Sequence, residues 1–129
     1  MKTDLRRGDV VLVAFPLAGS AEGGRKRRPA LVVQHNRYNR RRAVLILAAI
    51  TSSKAHQRLP CKVPVAKNNP AGRQAGIKMD SVVDCQTLVT IPREIVTRKI
   101  GSLPKGIMRK IDKALKDALG LEESTQSVT

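Results

Sequence analysis

Aromatic side chains are nearly missing from this 129-residue chain: there is no Trp, and Phe15 and Tyr38 are the only Phe and Tyr. The core must therefore be aliphatic, and a binding platform of stacked rings is excluded. Acidic residues are scarce too. Ten Asp and Glu stand against 25 Lys and Arg, a net charge of +15, and none of the ten falls between Gly23 and Met79. Long apolar runs are lacking: the longest, Ala43 to Ile50, has eight residues, too few to cross a bilayer as a helix. Met1-Lys2-Thr3-Asp4 leads into charge, not into an apolar segment, so no secretory signal is expected and the chain reads as cytoplasmic. Cys61 and Cys85 are then expected as reduced thiols. His35 and His56 are the only histidines, and no CxxC or HxxxH spacing occurs. Neither a metal nor another cofactor is expected.

Enough is present to fold. Hydrophobic residues make up 41%, and the length fits one domain, expected over residues 1–121 with a polar tail at 122–129. The acid-free stretch holds fourteen of the 25 cations, eight of them between Arg25 and Arg42. They form two blocks, Arg25-Lys26-Arg27-Arg28 and Arg37 with Arg40-Arg41-Arg42, on either side of one apolar run. A six-residue strand spans about 20 Å, so both blocks edge one surface of a small domain. A field of that sign concentrates polyanions, with nucleic acid as the first candidate.

The pattern along the chain is mostly that of short strands. Val10 to Phe15 is a β-branched run closed by Pro16, and 16–28 reads as a long mobile loop. Pro29 to Gln34 is a second strand, and Ala43 to Thr51 a central one, buried on both faces. Cys61 to Ala66 is interrupted by Pro64 and belongs at an edge. Asn68 to Gly72 is a turn cluster, and Met79 to Cys85 with Leu88 to Ile91 are two strands or one bent strand. From Leu103 to Leu119 apolar residues recur with helical spacing, with Ser102 expected as N-cap, Pro104 in the first turn and Gly120 as the stop. Five or six strands and one amphipathic C-terminal helix suggest a mainly β, curled small barrel capped by that helix.

Ordered strings then resemble a known family. Arg7-Gly8-Asp9-Val10-Val11-Leu12-Val13, Arg28-Pro29-Ala30-Leu31-Val32-Val33-Gln34, Ala48-Ala49-Ile50-Thr51-Ser52, Asp80-Ser81-Val82-Val83-Asp84-Cys85 and Lys99-Ile100-Gly101-Ser102-Leu103 are similar, in that order, to segments of the MazF/PemK toxins. The resemblance implies an SH3-like β-barrel with a C-terminal α-helix, working as a homodimer. It further implies a metal-independent endoribonuclease that cuts single-stranded RNA at short motifs, and an acidic cognate antitoxin as partner. Carried over residue by residue, it gives Arg28 and Thr51 catalytic roles. It places Ser20, Arg25, Lys26, Arg27, Ser52, Gln86 and Thr87 on the RNA. Arg28 suits its role: an always-charged planar fork matches phosphate geometry, and Pro29 confines it to extended backbone. The second block, Arg37 and Arg40 to Arg42, either grips RNA or serves solubility.

The chain also departs from the family. A first-loop histidine of some members is replaced near Ser20, and their Arg-x-Asp-Gln string by Asp84-Cys85-Gln86-Thr87. An acid–base scheme of Asp and His does not transfer, so the base is left unassigned. His35 and His56 read as surface-loop residues and Cys85 as a small buried apolar one. Two other readings share the composition: a gyrase-poisoning toxin of related fold, and a non-catalytic basic RNA-binding module.

Overall fold

The computed structural model describes residues 4–16, 25–41, 43–53, 55 and 57–121. Six strands form one antiparallel sheet: β1 Asp9–Pro16, β2 Arg25–Val32, β3 Val44–Thr51, β4 Lys62–Val65, β5 Ser81–Pro92 and β6 Val96–Ser102, in spatial order β4-β5-β3-β2-β1-β6. Among the described residues three α-helices join them, α1 Asn36–Asn39, α2 Pro70–Ala75 and α3 Lys105–Leu119, with a 3₁₀ turn at Arg93–Ile95 between β5 and β6.

Alternation along the strands sorts the core into two faces. Val10, Leu31, Ala48, Ile50 and Val83 point to one, where Ile111 and Ala114 of α3 cover them. Val11, Val13, Ala30, Val32, Leu45 and Leu47 point to the other. Ile91 of β5 and Val96 of β6 pack in that second cluster although three strands separate theirs in the sheet, so the sheet is strongly curled. β4 and β6 do not pair with each other. The mainly β fold with its C-terminal helix is as expected, and the curl leaves one open seam.

Several details differ from the sequence reading. β2 begins at Arg25, not Pro29: β1 runs on to Pro16 and zips against Arg25–Leu31 as a hairpin. The strand partner, not side-chain hydropathy, decides the basic block's conformation. β3 is central but not fully buried. Val44 and Ile46 are exposed, whereas Ala48 and Ile50, on the same face, lie under the helix cluster. β5 is one bent strand. Its pairing with β3 jumps from Ala48↔Leu88 to Ala49↔Asp84, leaving Cys85, Gln86 and Thr87 as a bulge. Ser102 is not the N-cap of α3; it ends β6, and Pro104 caps the helix. A residue preceding proline is kept out of the α region, so Leu103 remains extended and donates its N–H to Gly8 O at 2.9 Å. Asn68 to Gly72 does not end as a turn; it leads into α2, with Pro70 at its first position. Ser20, Arg42, His56 and the tail 122–129 lie outside the described residues.

Candidate functional site

A groove of about 620 Å³ opens where β1, β2, β3 and β6 meet the segment after α2. Arg27, Arg28 and Pro29 come from β2 and Leu12 from its neighbour β1. The end of β3 adds Thr51, and Ser52 and Ser53 follow it. The opposite wall is Gly76 to Met79 with Arg98 and Ile100 of β6. Among the described residues that line it, four are cationic, Arg27, Arg28, Lys78 and Arg98, and none is Asp, Glu or His.

Each position has a local cause. The β1–β2 register sets Leu12 opposite Pro29 and Val13 opposite Arg28. Both arginines are exposed, and among the described residues neither side chain has a hydrogen-bond or ion-pair partner. Thr51 Oγ1 lies 3.0 Å from Ser53 Oγ and accepts the Ser53 N–H at 3.3 Å. Thr51 therefore closes a hydroxyl turn and does not hold Arg28. When the Ser53 hydroxyl donates in that pair, the Thr51 proton is left for an anion in the groove.

The far wall rests on a close backbone approach. Gly76 has φ +77°, and a Cβ on it would collide with the Ile100 carbonyl. A Cβ on Gly101 would collide with the carbonyl of Gln74. Only glycine allows α2 and β6 to meet this closely, and Lys78, two residues after Gly76, and Arg98, two before Ile100, both line the groove. Sequence reasoning missed these two cations because neither stands in a dense basic block; Gly76 and Gly101 were the available signal.

The expected residues are thus partly gathered. Arg27, Arg28, Thr51 and Ser52 share the groove. Ser20 is outside the described residues, and Arg25 and Lys26 are placed only as backbone of β2. Gln86 and Thr87 do not line the groove: they are exposed on the β5 bulge. That bulge is clamped by Asp84, which accepts the Gln86 N–H at 3.0 Å and the Thr87 hydroxyl at 3.1 Å. Lys62 Nζ lies 2.9 Å from the same carboxylate, both side chains 4% exposed. Burial pushes the Asp84 carboxyl up, but Lys62, the Gln86 N–H and the Thr87 hydroxyl outweigh it and hold it below its ordinary value.

Burial first, then the charges of Asp84 and Cys61, push the Cys85 thiol up to about 11. It stays protonated near neutrality and is no nucleophile. His35 is exposed at the start of α1, where Nδ1 accepts the Arg37 N–H at 2.9 Å. No group of three or more His, Cys, Asp or Glu among the described residues is placed to hold a metal ion. No helix among them is long and apolar enough to cross a membrane.

Comparison with known proteins agrees with this fold. The family model of PemK-like, MazF-like toxins of type II toxin–antitoxin systems matches residues 6–119. Endoribonuclease EndoA of Bacillus subtilis (strain 168) is 35% identical over 118 residues, covering 91% of this chain and 96% of its own. Among solved structures, the Mycobacterium tuberculosis toxin MazF-mt6 superposes with a TM-score of 0.71 at 23% identity, over 89% of this chain and 99% of that one. A MazE-MazF structure from Deinococcus radiodurans gives 0.69 at 19% identity, over 94% and 100%. These last two likenesses show the fold; the family match, which spans nearly the whole chain, shows more. The chain belongs to the PemK-like, MazF-like toxins of type II toxin–antitoxin systems.

Proposed function

We propose that this toxin is a metal-independent endoribonuclease that cuts single-stranded RNA, mRNA included, at short sequence motifs. The observation that carries the reading is the meeting of Arg27 and Arg28 with the hydroxyls of Thr51, Ser52 and Ser53 in one groove with no acid among its described lining residues. In the reaction the ribose 2′-OH attacks the neighbouring phosphorus, the bond to the 5′ oxygen breaks, and a 2′,3′-cyclic phosphate and a 5′-OH end remain. Negative charge grows on the phosphoryl oxygens of the pentacoordinate intermediate. Preorganised donors aimed at that charge are the largest catalytic contribution available here. Arg28 supplies a charged fork, and Thr51 a hydroxyl whose oxygen is already fixed by Ser53. With no His or carboxylate among the described residues that line the groove, the reading rests on electrostatic stabilisation, with protons exchanged through solvent.

The same reading makes the protein a cytoplasmic homodimer. Its partner is an acidic antitoxin, whose carboxylates would occupy the cationic groove. A solved endoribonuclease with its cognate antitoxin, from a mycobacterial species, has this fold at a TM-score of 0.70.

The test is a digest of mixed-sequence single-stranded RNA by the purified protein with chelator present. Recurrent cut sites, fragments ending in 2′,3′-cyclic phosphate, and an untouched DNA strand of the same sequence are expected. Intact RNA overturns the reading, and intact RNA together with inhibited gyrase points to the gyrase-poisoning class instead.

A further inference from the structure

We propose that Arg98 and Lys78 form a second phosphate grip on the far wall of the groove, holding a phosphodiester of the RNA strand other than the one that is cut. The inference rests on the ribonuclease reading and extends it to how the strand is held. Three facts place the grip. The β1–β6 register sets Arg98 directly opposite Leu12, and the β1–β2 register sets Leu12 directly opposite Pro29. Direct cross-strand partners share a face, so Arg98, Leu12 and Pro29 form one row, and all three line the groove. Adjacent strands lie about 4.8 Å apart, which puts the backbone of Arg98 about 10 Å from that of Pro29, next to Arg28. Arginine side chains of that reach can hold different phosphates of one strand.

Lys78 shares this wall: the chain leaves α2 at Gly76 with left-handed backbone packed against the Ile100 carbonyl of β6, and Ile77, Lys78 and Met79 line the groove together with Arg98 and Ile100. Both cations are exposed, and among the described residues neither side chain has an acidic partner. Beside Arg98 in that row lie Leu12 and Pro29, and Ile77 and Met79 flank Lys78 on the far wall. These apolar side chains suit the face of a base whose neighbouring phosphates are held. Single-stranded RNA is favoured over an acidic peptide as the occupant because Leu12 and Pro29 separate Arg98 from Arg28 along the row, as sugar and base separate phosphates.

The probe is a fluorescent 2′-O-methyl RNA of mixed sequence, which binds but cannot form the cyclic phosphate. Its affinity for the intact protein is read by anisotropy across a salt series. Arg98→Gln and Lys78→Gln should each weaken binding several-fold and flatten the slope of log affinity against log salt by about 0.7, one released counterion each. On cleavable RNA the KM should rise by more than kcat falls. Arg98→Lys, which restores charge but not the fork, should recover the salt slope. Wild-type affinity and slope in both Gln variants, at unchanged melting temperature, overturns the grip while leaving the ribonuclease reading intact. Unchanged RNA binding with weakened binding of an oligo-glutamate peptide also overturns it, in favour of a partner-protein contact. A wild-type protein that binds no RNA overturns the functional reading on which the grip depends.

Discussion

Lys62 and Arg28 are cations on strands of one sheet, and their circumstances are opposite. Lys62 is 4% exposed and lies 2.9 Å from an equally buried Asp84. Arg28 is exposed on the groove and has no partner among the described residues. The field of Lys62 is consumed inside the fold, where two ions taken out of water must neutralise each other. That of Arg28 is left for something outside the protein. The other two described ion pairs, Arg7–Asp112 and Lys99–Asp9, also lie away from the groove lining. Paired charge fixes the structure, and unpaired charge marks the face that works on a polyanion.

The largest effect should come from breaking the buried pair. Lys62→Met or Asp84→Ala leaves one ion buried without its counterion, which costs about 3–5 kcal/mol. The double change Lys62→Met with Asp84→Ala should lose much less than the two single losses added together, since no buried ion is then left without its counterion. Urea unfolding of the four proteins measures the cycle. A single variant as stable as the wild type would mean that the pair is not buried as described, and the contrast with Arg28 would fail.

Arg28→Ala should leave the unfolding curve almost unchanged, because nothing in the fold leans on its side chain. Cleavage should fall about 10²- to 10³-fold, the usual loss when a preorganised donor to a developing oxyanion is removed. Thr51→Val, which keeps the shape and deletes the hydroxyl, should lower the rate by about tenfold, in line with a lost hydrogen bond to a charged group. Single-turnover cleavage beside urea unfolding checks both. If Arg28→Ala unfolds the protein as readily as Lys62→Met, the side chain is structural and the division into two kinds of cation is wrong.

How legible was this in the sequence? The aliphatic strands were, because β-branched runs bounded by Pro and Gly specify strands locally. So was α3, whose fifteen residues give helical periodicity room to repeat. The four residues of α1 and six of α2 are too few to show a period. The start of β2 was hidden because a run of Arg and Lys looks like a loop until its antiparallel partner is known. The groove was half legible. Arg28, Thr51 and Ser52 sit in recognisable strings, whereas Lys78 and Arg98 are twenty residues apart in isolated positions and reach one groove only through sheet register and a glycine seam. Lys62 shows the converse. It counts toward the acid-free stretch, yet its partner Asp84 lies beyond that stretch, so charge density in the sequence overstates charge available on the surface.

The smallest expected effect is on acid stability, and it separates the two kinds of charge once more. Lys62, the Gln86 N–H and the Thr87 hydroxyl hold the Asp84 carboxyl below its ordinary 3.8 in the folded protein. The unfolded chain therefore takes up this proton more readily than the folded one. A depressed carboxyl adds stability that is fully present above the ordinary value and is lost as pH falls through the folded one. Between pH 7 and pH 3 the urea midpoint of the wild type should drop further than that of the Lys62→Met, Asp84→Ala protein, with the difference opening below about pH 4. Arg28→Ala should follow the wild-type curve throughout, since no acid in the described structure pairs with that guanidinium. Parallel curves for wild type and double variant would show that Asp84 titrates alike in folded and unfolded chains, and that Lys62 is not the neutralised cation its burial implies.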